Sequence, residues 1–210
     1  METRSDPIAC SVGAPIGLIE IPGGKRGLIR HRGKPLALMD SAYYIWLHGL
    51  PAPPLSYLEQ QAGEILGKAG SERLHEMKEA GLMVTFVPNA EESPIDLDRL
   101  AATPLGMGLG RDATSEEFMI GDAACQPLVR IDGLSYSIWS DLIPGEVLSG
   151  VVARIAARFS ISPAVAGARV AALVETLMRA RLLTLDILTS PTHHDPGPSS
   201  APKFRIKTRT

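Results

Sequence analysis

Cysteine is almost missing from this chain. Its 210 residues include only Cys10 and Cys125, with no ligand spacing between them. That excludes a disulfide scaffold and a zinc cluster. Aromatic residues are scarce at 5%, so the core has to be built mostly from Leu, Ile, Val and Ala. An excess of basic charge is missing too: 21 Lys and Arg stand against 23 Asp and Glu, a net charge of −2. This argues against binding nucleic acid through overall charge. No apolar run reaches the roughly 18 residues of a membrane span. The start, Met1 to Pro7, carries Glu2, Arg4 and Asp6 instead of the apolar centre of a signal peptide. The expectation is a cytoplasmic protein with no membrane association. No catalytic constellation, metal-ligand set or cofactor motif is readable, so a non-enzymatic protein without cofactors is expected.

What the chain does have is repetition. Tyr43-Tyr44-Ile45-Trp46 and Tyr136-Ser137-Ile138-Trp139 share Tyr-x-Ile-Trp. Upstream, Pro35-Leu36-Ala37-Leu38-Met39-Asp40 parallels Pro127-Leu128-Val129-Arg130-Ile131-Asp132. Downstream, Leu50-Pro51 parallels Ile143-Pro144, and Ala80-Gly81-Leu82-Met83-Val84 parallels Ala180-Arg181-Leu182-Leu183-Thr184. The same order of strand, helix, proline turn, helix and apolar exit occurs twice. It reads as an internal duplication with a period of roughly 90 to 100 residues. The expected layout is a first unit over 12–88, a linker over 89–113, a second unit over 114–189 and a disordered tail over 190–210.

Local signals predict the elements of each copy. In the first, Ile16–Ile21, Gly27–His31 and Leu36–Met39 read as strands separated by Pro22-Gly23-Gly24-Lys25 and Gly33-Lys34-Pro35 turns. Asp40 or Ser41 is the expected cap of a first helix ending near His48-Gly49. Ser56 and Glu59 have the S-x-x-E spacing of a capping box for a second helix, running to about Lys68. Ser71 is the expected cap of a third, Glu72 to Ala80, and Leu82–Val87 is the closing strand. In the second copy, Glu117–Ile120 and Pro127–Ile131 read as strands, and Gly133–Leu142 and Gly145–Phe159 as helices. Ser162-Pro163 is a cap followed by proline at the first helical position, opening a third helix to about Arg181. Leu182–Leu188 closes the copy. Ile95–Leu100 could be a short helix within the linker, whose Gly106-Met107-Gly108-Leu109-Gly110 lacks the context of a phosphate loop and reads as flexible chain. The tail is rich in Pro and Ser and carries Lys203, Arg205, Lys207 and Arg209 without an acid.

A small antiparallel sheet with three helices and a wing-like exit strand describes a winged helix-turn-helix unit, so the predicted fold class is α+β with two such units in tandem. The second copy resembles a narrower group through Gly121-Asp122, Pro127 to Gly133, Ser135-Tyr136-Ser137-Ile138-Trp139, and Val170-Ala171-Ala172-Leu173-Val174-Glu175 to Leu182-Leu183. This is the PqqD-like fold, the recognition element that binds leader peptides of ribosomally made, post-translationally modified peptides. The resemblance covers about 70 residues and extends more loosely to Ile16–Val87. It implies a non-catalytic protein that captures a precursor's leader by strand addition and presents it to a peptide-modifying enzyme. On this resemblance the groove of the second copy would involve Leu128, Val129 and Arg130 with Arg169, Ala172 and Glu175. That of the first would involve Leu36, Ala37 and Leu38 with Arg73, Glu76 and Lys78.

Two other readings compete: a tandem winged-helix DNA-binding regulator and a protein-complex scaffold. DNA binding requires Lys and Arg aimed at phosphates. The third helix of copy one sets Arg73 and Lys78 against Glu72, Glu76 and Glu79, a net −1, and that of copy two sets Arg169, Arg179 and Arg181 against Glu175, a net +2. Neither is a densely basic helix, so nucleic acid is disfavoured. His193-His194-Asp195, lone His48 and His75, and Cys10 and Cys125 lack the partners that metal binding or acid–base chemistry needs. Tyr43, Trp46, Tyr136 and Trp139 read as core anchors.

Overall fold

The computed structural model describes residues 6–87 and 97–188. Among the described residues ten strands and six α-helices follow one another in an order that occurs twice. The first half runs β1 (Ile8–Ser11), β2 (Ala14–Ile21), β3 (Gly24–His31), β4 (Lys34–Met39), α1 (Asp40–His48), α2 (Leu55–Leu66), α3 (Gly70–Glu79) and β5 (Met83–Phe86). The second runs β6 (Leu100–Pro104), β7 (Met107–Arg111), β8 (Phe118–Gly121), β9 (Pro127–Ile131), α4 (Gly133–Ser140), α5 (Leu148–Phe159), α6 (Pro163–Arg179) and β10 (Leu183–Ile187). The sheets repeat as well. β2-β3-β4 and β7-β8-β9 are antiparallel meanders, and β1 pairs with β5 as β6 pairs with β10. The fold is thus α+β, with small antiparallel sheets and three helices in each half.

Residues 100–111 are not a linker. β6 and β7 occupy them, and the turn at 97–99 leads directly into β6 instead of forming a helix. β1 likewise precedes the expected start of the first half at residue 12. Both omissions have one cause. Residues 100–104 are held in a strand by β10, some 80 residues away, which no local pattern announces. β7 hides behind its glycines, and these have a packing role. A Cβ on Gly108 would lie 2.5 Å from the Tyr136 hydroxyl and 2.9 Å from the Trp139 ring. Glycine in a strand marks such a close approach. The tail from 190 onward lies outside the described residues.

Capping follows the sequence in one half only. Asp132 caps α4, its carboxylate accepting from the Ser135 amide at 2.7 Å, and Ser162 caps α6, accepting from the Val165 amide at 3.2 Å. In the first half Met39, Pro54 and Ala69 occupy the cap positions of α1, α2 and α3, and none makes a side-chain cap. Asp40, Ser41, Ser56 and Ser71 fall inside the helices, and the Ser56 hydroxyl bonds the Asp6 carboxylate instead. The proline before α2 already fixes the entry dihedral that a capping residue would otherwise select.

The halves share a core. Ile8, Cys10 and Val12 point from β1 and its end into the cluster built on α5, α6, β6 and β10, while Ala9 points back among α1, α2 and α3. This is the period-two alternation of a strand with both faces covered. Trp46, fully buried, donates from Nε1 to the Val12 carbonyl at 3.0 Å and locks α1 to the end of β1. A parallel bridge between Val12 and Leu185 and a bond from the Gly13 amide to the Leu185 carbonyl (2.6 Å) tie β10 to the first half. Among the described residues no helix is long and apolar enough to cross a membrane.

Candidate functional site

β4 and β9 are outer strands, each paired on one side only. Which backbone groups face outward follows from the turns. Arg32 and Gly33 have φ of 52° and 71°, the two left-handed positions of a type I′ hairpin, so His31 and Lys34 close the ladder as a hydrogen-bonded pair. A residue's N–H and C=O point to the same side of an antiparallel strand, and the side alternates. Lys34, Leu36 and Leu38 therefore direct their amides to β3, and Pro35, Ala37 and Met39 direct theirs outward. Proline at 35 fits, because an outer position has no ladder bond to lose. In β9 the order follows from the Asp112 amide, which donates to the Glu117 carbonyl at 2.8 Å. Glu117 is thus turned toward β7 and Phe118 toward β9. With Phe118 opposite Ile131 and Ile120 opposite Val129, Arg130 is the outward residue, and a bulge at Leu128 interrupts the alternation before it.

The structure brings four of the six first-half candidates together. Ala37 and Leu38 of β4 face Arg73 and Glu76 of α3 across a cavity of about 230 Å³, with Met39, Ala42, Met77, Ala80 and Leu82 completing its lining. The interior is apolar, and the Arg73–Glu76 ion pair, half exposed, stands on the helix side. Leu36 is 37% exposed on β4, but its amide belongs to the internal ladder. Lys78 is not in the groove. At 100° per residue it lies about 200° around α3 from Glu76, and it lines a separate cavity with Arg32 and Glu79. Met77, Ala80 and Leu82 were missed. The signal for Met77 and Ala80 is the i+4 spacing from Arg73 and Glu76, which reads equally well as plain core, and Leu82 lies beyond the end of the helix.

The second-half candidates do not converge in the same way. Arg169 reaches Asp132 at the end of β9 (3.8 Å). The Ser135 amide, first, then the Ser135 hydroxyl and the Arg169 charge hold the Asp132 carboxyl below its ordinary range. Arg130 turns to Asp112 at 2.9 Å. That carboxylate also accepts the Thr114 amide and hydroxyl (2.8 and 2.7 Å), and these two bonds are the main reason its pKa is lowered. Leu128 is half exposed, whereas Val129 packs toward the core. Ala172 is partly buried, its carbonyl accepting the Thr176 hydroxyl at 2.9 Å. Glu175 pairs with Arg179 at 3.0 Å, and the charge of Glu175 is felt at the Cys10 thiol on β1.

Acid–base and metal chemistry find little support among these residues. Among the described residues no group of three or more His, Cys, Asp and Glu could hold a metal ion, and His193-His194 lies outside them. Burial, above all, pushes the Cys10 thiol far up, so it is no nucleophile at neutral pH. His31 is buried with both ring nitrogens unpartnered, 4.0 Å from Asp186 of the other half, and burial is the chief cause of its lowered pKa. Comparison of the chain with family models, with curated proteins and with solved structures returned no match.

Proposed function

We propose that this protein is a non-catalytic peptide-binding partner protein built from two PqqD-like winged-helix units. In this reading it captures the leader of a ribosomally made precursor peptide and presents it to a peptide-modifying enzyme. The observation that carries the reading is the outer edge of β4. Ala37 offers its N–H and C=O outward beside an apolar groove walled by α3, the arrangement strand addition uses. Backbone bonds would hold the guest extended, and the groove would select an apolar side chain from alternate positions of it. Of the two edges the first-half one is favoured, because Arg130, at the matching place in β9, is held in an ion pair. The regulator reading is less well supported: Arg169 and Arg179 of α6 each face a carboxylate on this chain rather than being free for phosphate.

Proline substitution tests the edge. Ala37→Pro deletes one outward amide and leaves the β3–β4 ladder intact, just as Pro35 does. A leader peptide encoded beside this gene should bind the full chain with an affinity nearly independent of salt. It should lose roughly tenfold in Ala37→Pro, the worth of one net hydrogen bond. Val129→Pro is unsuitable, since that amide serves the internal ladder; Arg130→Pro is the matched substitution in the second half. Unchanged affinity in both Ala37→Pro and Arg130→Pro, with circular dichroism showing intact folds, would rule out strand addition at either edge. Binding of random duplex DNA that weakens steeply with salt would favour the regulator.

A further inference from the structure

A second cavity, about 290 Å³, lies on the other side of α3 from the peptide groove, where the two halves meet. Gly81, Met83, Leu100 and Ile187 are buried around it, Arg32 and Lys78 converge on it beside Arg99, and Glu79 is the acid in its lining among the described residues. The protein as a whole is slightly acidic, so this concentration of positive charge runs against its average. Among the described residues neither the Arg32 guanidinium nor the Lys78 ammonium forms an ion pair within 4.0 Å, although the Asp186 carboxylate bonds the Arg32 backbone amide.

Arg32 occupies an unusual place. It fills the first left-handed position of the β3–β4 turn, at φ 52°, where Asn, Asp or Gly is the favoured residue. A side chain that costs the turn stability is a pointer to function. Its backbone is held from the other half: the Arg32 amide donates to Asp186 Oδ1 at 2.8 Å. Its guanidinium lies over Gly81, where an added Cβ would come 3.0 Å from Nη2. The backbone of the arginine is therefore held from the other half before any ligand arrives, which lowers part of the ordering cost of binding.

We propose that this inter-half cavity is a binding site for a compact anion of the phosphate class, clamped by Arg32 and Lys78. The site is separate from the peptide edge and does not depend on the proposed function. Pyrophosphate, inorganic phosphate and a short poly-glutamate peptide are the probes, titrated into the full chain by calorimetry and thermal shift. Wild-type protein should be stabilised by pyrophosphate at about 10 mM, with an affinity that falls as salt rises. Arg32→Asn removes the charge and suits the left-handed turn, so it should keep or raise the melting temperature while weakening pyrophosphate by roughly tenfold or more. Lys78→Gln should weaken it as well. Absence of any shift with pyrophosphate or phosphate, equal binding by the Arg32→Asn/Lys78→Gln double variant, or a response to poly-glutamate alone would each overturn the assignment.

Discussion

The two halves follow one plan until their third helix. α1 begins at Asp40 and α4 at Gly133, 93 residues on; α2 and α5 are both 12 residues long and keep the same offset. α3 has 10 residues and α6 has 17, so β5 and β10, starting at Met83 and Leu183, are 100 residues apart. The whole length difference of the later elements sits in this helix, two turns or about 10 Å. α3 buries Gly70, Leu74 and Met77, whereas α6 buries eight residues and reaches the cluster that β1 and β5 also enter. Lengthening one helix made the second half the keystone of the shared core. The short one left the first half with a groove between α3 and β4.

The equivalent tryptophans offer the sharpest way to break this comparison. Trp46 is fully buried and bonded to Val12, while the Trp139 indole N–H is buried without a partner. Trp46→Phe should cost about 1–3 kcal/mol for the orphaned carbonyl alone, plus the space left by the smaller ring. Trp139→Phe should cost less than about 1 kcal/mol, because it removes an unsatisfied donor. Urea denaturation of the two variants reads the difference, and equal losses would show that the halves use their tryptophans alike.

The helix caps should separate the halves by less. Asp132→Ala removes a bonded cap and should destabilise by about 1 kcal/mol. Asp40→Ala, at the sequence counterpart that falls inside α1 one residue after its cap position, removes no cap bond and should cost only a few tenths of a kcal/mol. Chemical denaturation at neutral pH compares them.

The smallest effect is a pH dependence at the junction. The His31 pKa in the folded protein lies below its unfolded value of 6.5. The unfolded chain therefore binds the proton more readily. Stability from this group is present in full above pH 6.5 and is lost as pH falls through 6.5 toward the folded pKa. His31→Leu should flatten that part of a stability–pH curve, and an unchanged curve would show that the junction titrates elsewhere.

What could be read in advance was local. The Gly33-Lys34-Pro35 segment marked the β3–β4 turn, the Ser162-Pro163 pair opened α6, and Tyr-x-Ile-Trp placed α1 and α4. Arg73 and Glu76 share one face of α3 at i,i+3 spacing, whereas Ala37 and Leu38, adjacent in β4, point to opposite faces and were joined to that helix only through the family resemblance. Lys78 failed on helical phase alone. The spread of the second-half candidates was illegible, since it depends on ion pairs with Asp112 and Asp132.

By itself the sequence determined the repeated order of strand, helices and exit strand, because turns, caps and apolar periods act over a few residues. Only the tertiary structure decided that 8–11 and 100–104 are strands and that both halves fill one core. It alone decided which face of β4 and β9 carries free amides. The two strands and the shared core arise from pairing between segments 72 to 87 residues apart, and no short stretch of chain encodes its distant partner, whereas the free amides follow from the register that the neighbouring turns set.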